Sequence, residues 1–279
     1  MSFFDKLVDT ALQQQKDYAP LRVVIEKELL HHDILRIMSE SGLLTSLTFI
    51  GGTCLRTCYG GERLSEDLDF TGGKDFSRDA FTALAPAIRE SLLAKYGLPV
   101  EVSEPVRETG EVDTWKVKIQ TRPERPDLPS QRINIDICAV NSYERQPRLI
   151  RNHYGVEFGT SGLILQAESL NEILVDKILA FALRPNRLKN RDLWDIGWLV
   201  QKNAGTRGDF LALKLNERNI PGSAFRELFE SRLATLTDDP SVKTAFLDEM
   251  GRFLPAAVIK RTLATDLYWP WLVQTIGET

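Results

Sequence analysis

Two long segments carry apolar residues at helical spacing and predict buried helices. The first covers residues 20–42, where apolar positions recur at i, i+4, i+7 and i+8. The second covers residues 77–96, with an apolar residue every four positions. The positions that carry the two patterns are Leu30, Ile34, Ile37 and Met38 in the first segment, and Ala80, Leu84, Ile88 and Leu92 in the second.

Two other stretches alternate apolar and polar residues with a period of two, which is the pattern of half-buried strands. They are residues 115–120 and 133–138. In the second stretch three isoleucines share one face, so Asp136 lies on the opposite face with Asn134. Short apolar runs predict two further strands, and the segment after the first of them predicts a short helix. These elements are expected at 47–50 and 67–71 for the strands and at 53–59 for the helix.

Beyond about residue 165 the pattern becomes helical throughout. Ser169 and Glu172 have the spacing of a capping box, which predicts the start of a helix. The sequence therefore predicts an α+β fold, with a mixed sheet and flanking helices in residues 1–165 and an all-helical domain in 166–279. The helices expected in the second domain are 169–183, 192–201, 223–236, 241–253 and 255–267.

Composition excludes several classes of protein. The chain has 279 residues, of which 43% are hydrophobic and 27% charged, and this is typical of a folded globular protein. Its net charge of −4 excludes a basic coat over the whole surface. No apolar run is long enough for a membrane span. Three cysteines, an odd number, are typical of free thiols in a reducing cytoplasm, and the three histidines lack zinc-ligand spacing.

Two short motifs combine residue types that phosphate chemistry needs. Gly51 and Gly52 stand between a predicted strand and helix, where backbone N–H groups can bind phosphate. Asp67 and Asp69 project from the same face of a predicted strand, and paired carboxylates bind a hard cation such as Mg²⁺. Each motif alone is more often an ordinary turn. Their order along the chain favours metal-assisted phosphoryl or nucleotidyl transfer.

That order resembles the signature of the DNA-polymerase-β-like nucleotidyltransferases. A wider set of blocks between about residues 25 and 200 resembles the AbiEii/AbiGii toxin family, which includes the mycobacterial MenT toxins. Glu28 departs from the Asp that the family has there, and residues 205–279 carry no family motif. The blocks are Glu26-Lys27-Glu28, Gly51-Gly52-Thr53-Cys54-Leu55-Arg56, Tyr59-Gly60, Arg63, Ser65-Glu66-Asp67-Leu68-Asp69-Phe70, 168–178 and 191–196.

The resemblance implies a polymerase-β-like sheet and a Mg²⁺-dependent nucleotidyltransferase toxin of a toxin–antitoxin system. Such a toxin transfers a nucleotide from a nucleoside triphosphate (NTP) to an acceptor, in some members the 3′ end of tRNA, and its antitoxin is encoded nearby. Two alternatives stay open: a nucleotidyltransferase that modifies a protein or a small molecule, and an inactive nucleotide-binding module. The intact Asp67 and Asp69 pair argues against an inactive module.

The resemblance also implies roles for individual residues. Lys177 would bind the triphosphate, and Asp192 would orient Lys177 or contact the acceptor. Both belong to the helical domain, so the site is expected in a cleft that receives residues from both domains. The metal ligands implied are Asp67, Asp69 and Asp136, and the triphosphate-binding residues are Gly51, Gly52, Thr53, Arg63 and Ser65 together with Lys177.

The segment 177–191 is locally basic. It carries five cations and no acid: Lys177, Arg184, Arg187, Lys189 and Arg191. An RNA acceptor needs such a patch for its phosphates. A solvated helix-loop-helix surface explains the same residues equally well.

Overall fold

The computed structural model describes residues 2–106, 111–125, 127–185 and 187–279. The chain divides into two compact units, Met1–Glu168 and Ser169–Thr279. The first unit contains a seven-stranded mixed sheet with flanking helices, and the described part of the second unit is helical. The predicted fold class is therefore confirmed.

The sheet is built from both parallel and antiparallel strand pairs. Its spatial order is β3-β4-β5-β2-β1-β7-β6. Strand β2 pairs in parallel with β5, and β1 pairs in parallel with β7, while the other neighbours are antiparallel. The strands are β1 Thr48–Ile50, β2 Leu68–Thr71, β3 Val100–Ser103, β4 Val112–Ile119, β5 Gln131–Cys138, β6 Arg145–Leu149 and β7 Ile164–Glu168.

Helices account for most of the remaining described residues. In the first unit they are α1 Phe3–Gln14, α2 Arg22–Glu40, α3 Gly51–Tyr59 and α4 Leu84–Tyr96. In the second unit they are α5 Leu170–Leu183, α6 Asn190–Gln201, α7 Gly208–Glu217, α8 Gly222–Asp238, α9 Pro240–Met250, α10 Ala256–Arg261 and α11 Tyr268–Gly277. None of the described helices is long and apolar enough to cross a membrane.

Some element boundaries differ from those predicted. The predicted helix 77–96 is a short 3-10 turn, Arg78–Phe81, followed by α4, which begins at Leu84. Helix α3 begins at Gly51 and not at Thr53, so the two glycines form its first turn. The predicted helix 255–267 ends at Arg261 in α10. The sequence pattern also missed α1, β3, β6, β7, α7 and α11.

The central strands of the sheet have one apolar and one polar face. In β5 the isoleucines Ile133, Ile135 and Ile137 are completely buried, while the alternate positions are partly or fully exposed. Helix α2 packs against this strand. The polar face of β2, β4 and β5 is the face that carries the acids predicted to act in catalysis.

Helix α2 binds other parts of the first unit through buried polar side chains. Glu26 accepts a hydrogen bond from Gln131 at 2.8 Å. Asp33 accepts hydrogen bonds from Lys95 and Tyr96, each at 2.6 Å. Because a buried charge is tolerated only when it is paired, these contacts fix how α2 sits among its neighbours.

Candidate active site

The predicted acids come together through the pairing of β2 with β5. The parallel register places Asp69 directly beside Asp136, and Ile50 of β1 lies on the other side of Asp69. Neighbouring strands are about 4.8 Å apart, so the two carboxylates emerge side by side from one face. Asp67 precedes Asp69 by two residues and lies in the bend immediately before β2. The structure thus places two of the three predicted metal ligands, Asp69 and Asp136, next to each other, and that they bind a metal stays a prediction.

Glycine is required where α3 begins, because Asp69 approaches its backbone closely. Gly51 has a φ of +74°, and a Cβ built there would lie 2.5 Å from Oδ2 of Asp69. A Cβ at Gly52 would lie 2.3 Å from an Nη atom of Arg63 and 3.1 Å from Oγ of Ser65. The bare first turn of the helix therefore faces an acid on one side and a guanidinium and a hydroxyl on the other.

Thr53, which follows the two glycines and is also a predicted triphosphate-binding residue, stabilises the site through its buried side chain. Its side chain is completely buried, and its hydroxyl donates a hydrogen bond to the carbonyl oxygen of Asp67. What Thr53 offers a ligand in this arrangement is its backbone N–H in the first turn of α3, where helix N–H groups lack intrahelical partners.

Two carboxylates of the group are oriented by neighbouring strand residues. The backbone N–H of Asn134 donates to Oδ1 of Asp67 at 3.1 Å. The Thr114 hydroxyl donates to Oδ1 of Asp136 at 2.6 Å. Both donors belong to the rigid sheet, which fixes the direction of each carboxylate before a ligand arrives.

The loop that leads into Asp67 is held by the buried carboxylate of Glu28 on α2. This carboxylate accepts hydrogen bonds from the Ser65 N–H at 3.0 Å, from Nε of Arg56 at 3.1 Å and from the Tyr154 hydroxyl. Burial alone would raise the pKa of Glu28, but the Arg56 guanidinium and the two hydrogen bonds outweigh it and lower the pKa below its usual value. Glu28 is therefore ionised and bound on several sides.

Two further residues of α2, Lys27 and His31, bind Glu66, the next residue of the loop. Lys27 Nζ lies 2.7 Å from a carboxylate oxygen of Glu66. His31 Nε2 lies 3.0 Å from the backbone oxygen of Glu66, and since a carbonyl only accepts, this nitrogen carries the proton. Burial lowers the pKa of His31, which keeps the ring neutral. Sequence reasoning missed His31; its only signal is the i, i+4 spacing from Lys27.

The neighbouring carboxylates of Asp69 and Asp136 fit a Mg²⁺ ion that is bound jointly with a substrate. Among the described residues no cluster of three or more His, Cys, Asp or Glu side chains forms a ready-made metal cage. Mg²⁺ in phosphoryl-transfer sites is held by one or two carboxylates together with substrate phosphates. The adjacent Asp69 and Asp136 supply that donor set beside the glycine turn.

In the second unit the structure brings Lys177 and Asp192 together. Lys177 Nζ lies 2.7 Å from Asp192 and 2.9 Å from Asp195, and Arg184 lies 2.7 Å from the second oxygen of Asp192. Burial would raise the pKa of Asp192, but Lys177, Lys189 and Arg184 outweigh it and hold the pKa well below its usual range. Asp192 thus forms an ion pair with Lys177, the contact that one of its two predicted roles requires, and the role itself stays a prediction.

The basic segment 177–191 is largely neutralised within its own unit. Lys177 and Arg184 pair with Asp192, and Arg191 lies 3.4 Å from Glu249. These cations therefore already have an acidic partner, which weakens the interpretation of this segment as an RNA-binding patch.

Comparison with known proteins gives one family match. Residues 33–272 match the family model described as the nucleotidyl transferase AbiEii toxin of a type IV toxin–antitoxin system. No curated protein matches the chain significantly.

Solved structures with a similar fold include a toxin and two proteins from Helicobacter pylori. The nucleotidyltransferase toxin MenT4 from Mycobacterium tuberculosis H37Rv is 16% identical, with a TM-score of 0.54, over 99% of this chain and 89% of that one. JHP933 from H. pylori is 17% identical, with a TM-score of 0.51, over 91% and 92%. A putative nucleotidyltransferase from H. pylori is 18% identical, with a TM-score of 0.52, over 91% and 95%.

Proposed function

The chain belongs to the AbiEii family of nucleotidyltransferase toxins of type IV toxin–antitoxin systems, and from that premise we propose that it transfers a nucleotide from an NTP to the 3′ end of tRNA with Mg²⁺. The resemblance seen in the sequence motifs is thereby confirmed at the level of the family and of the enzyme class. One observation carries the proposed chemistry. Asp69 and Asp136 lie side by side on parallel strands, next to the bare glycine turn of α3.

In this proposal, different residues of the first unit bind the phosphates, hold the metal and accept the proton. The first turn of α3, with Arg63 and Ser65, binds the β- and γ-phosphates through N–H and guanidinium donors. Asp67, Asp69 and Asp136 would hold a Mg²⁺ ion, which would supply positive charge to neutralise the phosphates. The acceptor hydroxyl oxygen forms a bond to the α-phosphorus, and the bond to the bridging oxygen breaks. Pyrophosphate leaves, and the Asp136 carboxylate takes the hydroxyl proton.

The remaining parts of the proposal rest on family membership and on composition. A cognate antitoxin encoded nearby follows from the type IV toxin–antitoxin description of the family. Three free cysteines support a site of action in the reducing cytoplasm. That Lys177 contacts the triphosphate, and that Asp192 acts through it, stay predictions.

A transfer assay tests the proposal. The protein is incubated with Mg²⁺, total cellular RNA and each labelled NTP in turn, beside Asp69→Asn and the control Asp79→Asn, whose exposed carboxylate lies outside the site. We expect label in a tRNA-sized band with the wild type and Asp79→Asn, and a loss of at least about a hundredfold with Asp69→Asn.

Two other results would change the assignment. Label in RNA that persists unchanged in Asp69→Asn would exclude the carboxylate mechanism. Metal-dependent NTP binding without label in RNA would refute the tRNA acceptor, and label on protein or a small molecule would then identify the alternative acceptor class.

A further inference from the structure

A groove with a volume of about 530 Å³ covers the polar face of β3, β4 and β5 and reaches Asp67. Nothing in the motif analysis pointed to it. Its lining combines four cations with three acids and small polar side chains, so the cations are in excess by one, and we refer to it as the cationic groove. The cations are Lys27, Lys116, Lys118 and Arg132, the acids are Glu66, Asp67 and Glu101, and the remaining lining residues are Ser103, Val117 and Asn134.

The strand register places three of these cations on β4 and β5, close to the predicted catalytic acids. Lys118 pairs with Arg132, and Lys116 pairs with Asn134, across β4 and β5. Arg132 and Asn134 share the face of Asp136, since residues two apart on a strand point the same way. The strand rise and spacing place the Cα of Lys116 roughly 8 Å from that of Asp136. The cationic groove and the acids thus form one continuous polar surface.

The charges of the cationic groove favour an anionic ligand. Lys27 pairs with Glu66 at 2.7 Å, and Lys118 pairs with Glu101 at 3.0 Å. Lys116 and Arg132 are exposed and take part in no ion pair with any residue that the structure describes. These two cations are diagonal neighbours on β4 and β5, and an anion between them removes their mutual repulsion.

The position of the cationic groove indicates which anion it binds. Across the sheet, the glycine turn follows β1, Asp69 lies on β2, Asp136 on β5, and the groove lies beyond them over β4 and β3. In phosphoryl transfer the attacking and leaving oxygens lie in line on opposite sides of the phosphorus. If the pyrophosphate leaves on the glycine side, the acceptor enters from the side of β4.

We infer that the cationic groove binds the phosphodiester backbone of the single-stranded 3′ end of an RNA acceptor, an inference that rests on the proposed function. Its volume is that of a small-ligand site and accommodates a few groups of one strand. No aromatic ring is among the described residues that line it, so base stacking is absent and the contacts are to phosphates. Binding through the groove is therefore insensitive to base sequence and weakens with salt.

Equilibrium binding tests the inference without requiring catalysis. A labelled single-stranded RNA 12-mer is titrated with the wild type, with Lys116→Ala/Arg132→Ala and with the control Lys6→Ala/Arg89→Ala over a series of salt concentrations. The control removes the same charge from exposed positions on α1 and α4, outside the groove. We expect the groove variant to raise the Kd for RNA about tenfold near 0.1 M salt. The slope of log Kd against log salt concentration should decrease by about 1.4 in the groove variant. The Kd of the control variant should stay within about twofold of the wild-type Kd.

The outcomes separate this inference from the proposed function. An unchanged RNA Kd and salt slope in the groove variant overturn the inference. A raised Kd for NTP with unchanged RNA binding overturns it too and assigns the groove to the triphosphate. RNA binding that depends on the groove, in a wild type that transfers no label to RNA, supports the inference and refutes the proposed transfer.

Discussion

At the scale of single residues, the site depends on how closely Asp69 approaches Gly51. A methyl group at Gly51 would meet Oδ2 of Asp69 at 2.5 Å, and the φ of +74° is itself unfavourable for other residues. Gly97 has a φ of +68° at the end of α4 but open space around the missing Cβ. Substitutions at these two glycines therefore distinguish the effect of backbone strain from the effect of displacing the Asp69 carboxylate.

We predict that Gly51→Ala abolishes most nucleotidyl transfer while Gly97→Ala leaves it within about threefold of the wild type. Both variants should lose about 1 kcal/mol of stability through the left-handed backbone. Only the first also moves Asp69, and a misplacement of about 1 Å can cost a hundredfold in rate. Steady-state transfer kinetics and urea unfolding of both variants check this. Equal activity losses in the two variants would contradict the steric account.

His32 predicts a pH dependence of stability. Burial lowers its pKa to about 4, and its ring stacks on Phe158 at 5.0 Å between centroids. In the unfolded chain its pKa returns to about 6.5, so the unfolded state binds the extra proton below that pH. The wild type should therefore lose about 2 kcal/mol more than His32→Gln between pH 7.5 and pH 5. Urea unfolding at both pH values measures the difference, and identical losses would refute it.

At the scale of elements, α2 positions the acid-bearing loop, and sequence reasoning could not foresee this. The i, i+2 spacing of Asp67 and Asp69 is local and predicts that they share a face. That Asp136 lies beside Asp69 depends on the parallel pairing of β2 with β5, which local patterns do not encode. The alternation in β4 and β5 was predictable because one face is buried. Edge strand β6 contains Arg145 and Pro147, so it lacks such a pattern.

We predict that His31→Ala lowers kcat about tenfold or more with little change in the KM for NTP. The variant removes the hydrogen bond to the Glu66 carbonyl next to Asp67, so the acid is less well positioned in the transition state. His32→Gln is the matched control, because its ring bonds Thr160 at 3.3 Å and does not contact the loop. A loss in kcat of the same size in both variants would mean that only the stability of α2 matters.

At the scale of the whole molecule, each compact unit is stabilised by its own buried ion pairs. In the second unit, Asp192 binds Lys177 and Arg184, and its side chain is only 4% exposed. We predict that Asp192→Asn destabilises the protein by about 3 kcal/mol, because it removes the buried negative charge that Lys177 and Arg184 share. The surface pair of Asp209 with Arg207 provides the control, and Asp209→Asn should leave the stability close to that of the wild type. Equal urea midpoints for the two variants would contradict this view of the cluster.

The central claim is that Asp69 and Asp136 bind the catalytic metal together with the phosphates of an NTP. A direct test is to measure Mn²⁺ binding by electron paramagnetic resonance in the presence of a non-reactive NTP analogue. The claim predicts that Asp69→Asn and Asp136→Asn each weaken Mn²⁺ binding by at least about tenfold, while Asp79→Asn binds like the wild type. Wild-type affinity in Asp136→Asn would contradict the claim and remove Asp136 from the metal site.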